Sequence, residues 1–195
     1  MEEIKSISLT KGAKVDLGKE APGLQNAVLG LGWDTNQSGG AAFDLDASVF
    51  MLNKDGKLGA GNEKRFVYFK NLESPCKSVV HSGDNLTGEG DGDDEVVNVD
   101  LNLLPTDVEE LQLIVNIYDA VNRKQNFGQV KNAFIRLFDP ITKNEILRYD
   151  LSEDFSTETA VVFGRLYRHN GVVKFEATGT GEKAGLDTYL AKFNS

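Results

Sequence analysis

Residues 43–52 read Phe43-Asp44-Leu45-Asp46-Ala47-Ser48-Val49-Phe50-Met51-Leu52, and the alternation in them decides the fold class. Phe43, Leu45, Ala47, Val49 and Met51 fall on one face of an extended chain. Asp44, Asp46, Ser48, Phe50 and Leu52 fall on the other. A period of two with one wholly apolar face marks a strand against a core. The second face is less ordinary. It opens on two carboxylates about 7 Å apart along the strand and closes on Phe50 and Leu52. A frayed strand end would explain the carboxylates; so would a cation held between them.

The same period recurs along the chain. Residues 4–10, 24–33, 65–72, 77–82, 96–104, 111–118, 130–139 and 145–151 read as further strands, with Pro105 and Asp139-Pro140 closing two of them. Residues 159–167 and 172–177 flank Arg168-His169-Asn170-Gly171, where Asn-Gly is a strong hairpin signal. Thr106-Asp107-Val108-Glu109 matches a capping box and predicts a short helical turn. Residues 120–129 read as a polar connection. The tail changes period: Leu186, Tyr189, Leu190 and Phe193 lie on one face of a helix over 184–194, which should dock on a sheet. About ten or eleven short strands with few helices predict an all-β fold, a β-sandwich with a short C-terminal helix. With no fixed-period repeat and no linker-like composition, residues 1–195 are expected to form a single domain.

Between two of these strands lies the run His81 to Glu95, HSGDNLTGEGDGDDE. Its carboxylates are Asp84, Glu89, Asp91, Asp93, Asp94 and Glu95, with no Lys or Arg among them. Held close in a folded loop, such charges repel unless a cation compensates. Asn85 and Thr87 add neutral oxygens, and interspersed glycines let the backbone turn tightly. Hard oxygen ligands on a flexible loop suit Ca²⁺ better than Mg²⁺, which demands a near-ideal octahedron. The spacing fits neither the common twelve-residue calcium loop nor a solenoid built from repeated copies. In a sandwich, loops meet at the two ends, so Asp34, Asp44, Asp46 and Asp119 are candidates to join this loop. Charge balance favours two ions over one. The competing expectation is a merely solvated acidic loop.

Composition excludes several classes. The net charge of −9 includes −6 from this loop, so the acidity is local. A pI near 4.8 argues against non-specific nucleic-acid binding. It also argues against an anionic membrane surface unless metal reverses the loop's sign. No apolar run approaches membrane-spanning length, and the first twelve residues hold no signal-peptide core. One cysteine, Cys76, means no internal disulfide and fits a reducing compartment. His81 and His169 have no nucleophile at a recognisable spacing, no phosphate-binding or dinucleotide fingerprint occurs, and zinc is poorly served. No catalytic residue is assigned. Arg136, Arg148, Arg165 and Arg168 lie on strands and could present an anion-binding face.

The segments Gly32-Trp33-Asp34, Asp44-Leu45-Asp46-Ala47-Ser48, His81 through Glu95, Gln125-Asn126-Phe127-Gly128-Gln129-Val130, Arg148-Tyr149-Asp150-Leu151 and Glu158-Thr159-Ala160 resemble the TerD-domain family of bacterial tellurite-resistance and general stress proteins. The resemblance spans nearly the whole chain. It implies a calcium-binding β-sandwich without enzyme activity, in the cytoplasm, acting in resistance to tellurium oxyanions and other stresses. On the leading hypothesis calcium orders the loop end of the sandwich, and that surface docks a protein partner, another family member or a membrane-associated complex. The resemblance carries the calcium role to Asp34, Asp44, Asp46 and the acidic residues of 84–95. The alternative is a metal-dependent sensor or enzyme that binds a nucleotide or an oxyanion.

Overall fold

The computed structural model describes residues 6–10, 12–59, 61–90, 92–151 and 155–194. Along these residues run β1 (Ile7–Ser8), β2 (Lys14–Asp16), α1 (Leu17–Glu20), β3 (Asn26–Gly32), β4 (Leu45–Leu52), β5 (Phe66–Val67), β6 (Val79–His81), β7 (Glu95–Asp100), β8 (Glu110–Ile117), α2 (Ala120–Arg123), β9 (Phe134–Phe138), β10 (Glu145–Asp150), β11 (Ala160–His169), β12 (Val172–Glu182) and α3 (Leu186–Asn194). They form two six-stranded sheets, ordered β1-β10-β9-β3-β7-β6 and β2-β12-β11-β8-β4-β5. The expected all-β sandwich with a C-terminal helix is what the chain adopts. No helix among the described residues is long and apolar enough to cross a membrane.

β4 shows why its two faces read differently. Phe43, Leu45, Ala47, Val49 and Met51 pack into the core between the sheets with Leu31, Val97, Val115 and Phe163. Phe50 and Leu52 face the other way, into a second cluster with Phe66, Ile114, Tyr189 and Phe193 beneath α3. The stripe predicted on the tail is thus what covers the outer face of β4, and every residue from Leu45 to Leu52 is buried. Phe66 stacks on Phe50 at 4.1 Å and Tyr68 on Phe66 at 4.2 Å. Burying a ring such as Phe50 or Phe66 contributes about 1.5–3 kcal/mol; Tyr68 is half-buried at the edge of the stack. Asp44 and Asp46 lie on this same outer face, before it reaches the apolar cluster.

Four local expectations change. The strand predicted over 65–72 stops at Val67, because Tyr68 and Asn71 exchange backbone hydrogen bonds (3.1 and 2.9 Å) and turn the chain back. Thr106–Glu109 forms no helix; the Glu109 amide donates instead to Leu52 O at 2.9 Å. The polar connection 120–129 folds into α2 and a 3₁₀ turn over Phe127–Gln129. Of the strand read over 4–10, only Ile7–Ser8 is paired, and residues 4 and 5 lie outside the described residues. The hairpin stands as read: Asn170 and Gly171 both take positive φ (52° and 77°), the geometry of a two-residue turn matched to strand twist.

Candidate metal centre

Asp44 and Asp46 bracket the first residue of β4, and Asp84 reaches them from the loop after β6. One carboxylate oxygen from each lies within 4.8 Å of the others. Asp44 and Asp46 are 4% and 2% exposed, whereas Asp84 is exposed. The three open on a cavity of about 480 Å³ that Thr87, Leu86, Tyr118 and Arg123 also line.

This cluster is rich in acceptors and poor in donors. Asn116 Nδ2 donates to Asp46 Oδ2 at 3.0 Å. Arg123 Nη1 donates to Asp44 Oδ2 at 3.3 Å. Asp44 Oδ1 is buried and has no hydrogen-bond partner among the described residues. Burial, then the charges of Glu95 and Asp44, push the Asp46 carboxyl up to about 8, against the opposing Asn116 amide. Burial also raises Asp44, opposed by the Arg123 guanidinium and reinforced by Asp84. A buried carboxylate with too few donors must take up a proton or find a cation. Three converging carboxylates, one of them with an orphaned buried oxygen, make a donor set that fits a hard divalent ion.

The surrounding chain fixes the two buried carboxylates. The Trp33 indole N–H donates to Phe43 O at 2.9 Å. Gln125 Nε2 donates to Ala41 O and Ala42 O at 2.9 and 3.0 Å. Gln125 opens the stretch QNFGQV, in which Phe127 is fully buried and Asn126 and Gln129 cap one another reciprocally. This stretch therefore pins the segment leading into Asp44.

The other predicted ligands are held elsewhere. Asp93 accepts from Arg136 Nε and Nη2 at 2.8 and 2.9 Å, a bidentate pair across the sheet. Asp94 accepts from the Trp33 amide at 2.9 Å and from Asn85 Nδ2 at 3.2 Å; burial raises its carboxyl against the opposing Trp33 N–H. Glu95 is fully buried, accepting from the amides of Ala47 (2.8 Å) and Asn85 (3.3 Å). His81 Nδ1 accepts from the Gly83 amide, which puts a proton on Nε2, 3.3 Å from Glu95 Oε2. Asn85 Oδ1 is taken by the amides of Thr87 and Gly88. Glu89 is exposed. Asp34 accepts from Asn132 Nδ2 at 2.7 Å and Asp119 from Asn122 Nδ2 at 2.6 Å. Asp91 lies outside the described residues. The structure thus gathers Asp44, Asp46 and Asp84, with Thr87 on the cavity wall.

Sequence reasoning missed Asn116 and Arg123. Asn116 carried a signal: it is the one amide facing the same way as Ile114 in the otherwise apolar run Ile114–Ile117. Arg123 carried none, since α2 was read as a loop. The expected arginine face is mostly neutralised. Arg136 pairs with Asp93 and Glu145, Arg148 with Glu145 and Asp150, and Arg165 with Glu110 and Glu176.

Comparison with known proteins agrees with the fold and places the chain. It is 54% identical over 182 residues to general stress protein 16U of Bacillus subtilis, covering 93% of both chains. It is 50% identical over 188 residues to tellurium resistance protein TerD of an Alcaligenes species, covering 96% of this chain and 97% of that one. A solved homologue of telluride resistance protein (TerD), SCO6318 from Streptomyces coelicolor A3(2), superposes with a TM-score of 0.73 at 22% identity, over 86% of this chain and 96% of its own. The TerD domain profile matches residues 5–193, and the chain belongs to the TerD domain family of tellurium-resistance and stress proteins.

Proposed function

We propose that this protein is a non-enzymatic calcium-binding module of the tellurite and stress response, working in the cytoplasm. One Ca²⁺ is held by Asp44, Asp46 and Asp84, and the loaded end of the sandwich is presented to a partner. The observation that carries the proposal is Asp44 Oδ1, buried and unpartnered, in a cluster whose three carboxylate oxygens lie within 4.8 Å of one another. The ion would supply the positive charge that the single guanidinium of Arg123 cannot. Asp44 and Asp46 are fixed by β4, so Asp84 is the ligand that moves, and its capture would order residues 82–90. A second ion would have to draw on carboxylates outside this cluster. Asp93, Asp94 and Glu95 already have donors within the protein, so the proposal takes one ion here.

Calorimetric titration of chelator-stripped protein with Ca²⁺ and then Mg²⁺ tests this, with thermal unfolding alongside. Binding to the native state should add roughly 3 kcal/mol of apparent stability at a hundredfold excess over Kd. Heat with Ca²⁺ and little with Mg²⁺ is the expected result; a flat Ca²⁺ titration overturns it. A second reading draws on Arg123, which lines the same cavity: a metal-dependent sensor in which an oxyanion or nucleotide bridges the ion and the guanidinium. It predicts that phosphate or tellurite binds with Ca²⁺ present and not without it.

A further inference from the structure

Three apolar side chains stand exposed at or beside the acidic cavity, although the Tyr118 ring meets Phe69 and carries the Arg123 guanidinium 5.1 Å over its face. Leu86 is 57% exposed, Tyr118 42% and Val121 84%. Leu86 comes from the acidic loop, Tyr118 from the end of β8 and Val121 from α2, so two separate loops bring them to one end of the sandwich. Leu86 and Tyr118 line the cavity that holds Asp44, Asp46 and Asp84. Tyr118 and Val121 line a neighbouring cavity of about 540 Å³. Phe69 borders both cavities and meets Tyr118 edge-on at 6.0 Å. Large apolar side chains gathered around a polar site mark an interaction surface.

Charge decides what the surface can meet. Empty, Asp44, Asp46 and Asp84 outweigh Arg123 and repel anions. With a divalent cation bound, those three carboxylates are balanced by the ion and Arg123 together. The loaded cluster is then neutral and no longer repels anions. In the neighbouring cavity Lys70 and Lys183 offset Asp119 and Asp187. Ca²⁺ takes 6–8 oxygens, so three carboxylates on one side leave positions open toward the cavity mouth. A surface offering phosphate oxygen and acyl carbon side by side would fill both the open positions and the apolar ring.

We infer that the cation-loaded end of the sandwich docks on an anionic lipid surface, with Leu86, Tyr118 and Val121 entering the boundary between headgroups and acyl chains. Headgroup phosphate completes the shell of the cation beside Arg123. This inference rests on the calcium reading above and names the partner of that site. The protein's overall charge of −9 opposes the approach, so docking depends on the cation and weakens as the cation is removed.

The test is co-sedimentation of the full chain with vesicles of equimolar phosphatidylcholine and phosphatidylserine, and with vesicles of phosphatidylcholine alone, in Ca²⁺ and in chelator. Calcium titration calorimetry is run in parallel on the same proteins. The wild type should sediment with the anionic vesicles in Ca²⁺ alone, and excess inorganic phosphate should not release it. Leu86→Ser with Val121→Ser replaces two exposed side chains, keeps the calcium affinity and should bind those vesicles about tenfold more weakly. Calcium heat without vesicle binding overturns the docking and leaves the cation site standing. Absent calcium heat overturns both. Vesicle binding unchanged in the double variant overturns the role of the apolar ring. Calcium-driven dimerisation in the absence of vesicles, lost in the double variant, assigns the ring to a second copy of the chain and overturns the lipid.

Discussion

Two groups of three carboxylates meet in and around the 82–95 stretch, and their surroundings are opposite. Asp93, Asp94 and Glu95 are each claimed by donors of the protein: the Arg136 guanidinium, the Trp33 amide with the Asn85 side chain, and the Ala47 and Asn85 amides with His81. Among the described residues, Asp44, Asp46 and Asp84 share one guanidinium and one side-chain amide, and Asp44 Oδ1 has no hydrogen-bond partner. Residue type is nearly the same in both groups; the supply of donors differs. The first group fastens the loop to both sheets; the second lacks donors of that kind among the described residues. An acidic run can therefore be largely scaffold: Asp93, Asp94 and Glu95 are held by the fold, while Asp84 joins the two carboxylates at the start of β4, so counting the run's charges overstates how many are free to take a cation.

The comparison breaks first at Glu95. If it fastens the loop, Glu95→Ala strands the Ala47 amide in a dry interior, while His81 Nε2 keeps Ala47 O at 3.2 Å, and should cost about 1–3 kcal/mol, measured by urea unfolding in chelator. A loss below about 1 kcal/mol would place Glu95 outside the scaffold. Asp46→Asn should do the reverse. It keeps the shape, removes the need to hold a buried carboxyl in its protonated form and leaves the chelated protein at least as stable. Calcium affinity should nevertheless fall about a hundredfold, near 2.7 kcal/mol, as read by calorimetry.

Proton binding sharpens the contrast. Folded, Asp46 holds its proton up to about 8, against 3.8 as its ordinary value. Between those limits the native state binds more protons than the unfolded one, so rising pH favours unfolding. The stability that Asp46 contributes to the chelated protein is full below pH 3.8 and is lost as pH rises to about 8. Thermal unfolding of chelated wild type should show that decline, and Asp46→Asn should flatten it. Calcium competes with the same proton, so its affinity should climb up to about tenfold per pH unit below pH 8. The smallest effect is expected from Asp93→Asn. Its Arg136 partner is 30% exposed, and losing the bidentate pair should cost about 1 kcal/mol with calcium affinity unchanged.

Much of the fold was legible because strand alternation is a local signal. The two faces of residues 43–52 appear as read, one in the inter-sheet core and one under α3, and the Leu186–Phe193 stripe supplies the cover. The division of the acidic loop was not legible, because it depends on which side chains stand across from it. Asp93 reaches Arg136 over Gly30, where a Cβ would sit 2.3 Å from the Asp93 carboxyl carbon. That juxtaposition comes from the pairing of β3 with β7 and β9, 43 residues apart in the Arg136 bond. Asp44 and Asp46 could be flagged from their odd place on a half-apolar face. Arg123 could not, since it reaches Asp44 from a helix of four residues that its polar sequence did not announce.

The central claim is that one group of carboxylates binds calcium and the other holds the loop. Calcium titration of chelator-stripped wild type, Asp46→Asn and Asp93→Asn under one set of conditions tests it most directly. The account predicts matching calcium affinity for wild type and Asp93→Asn, and a loss of about a hundredfold for Asp46→Asn. A flat wild-type titration, or a loss in Asp93→Asn with Asp46→Asn unaffected, would contradict it.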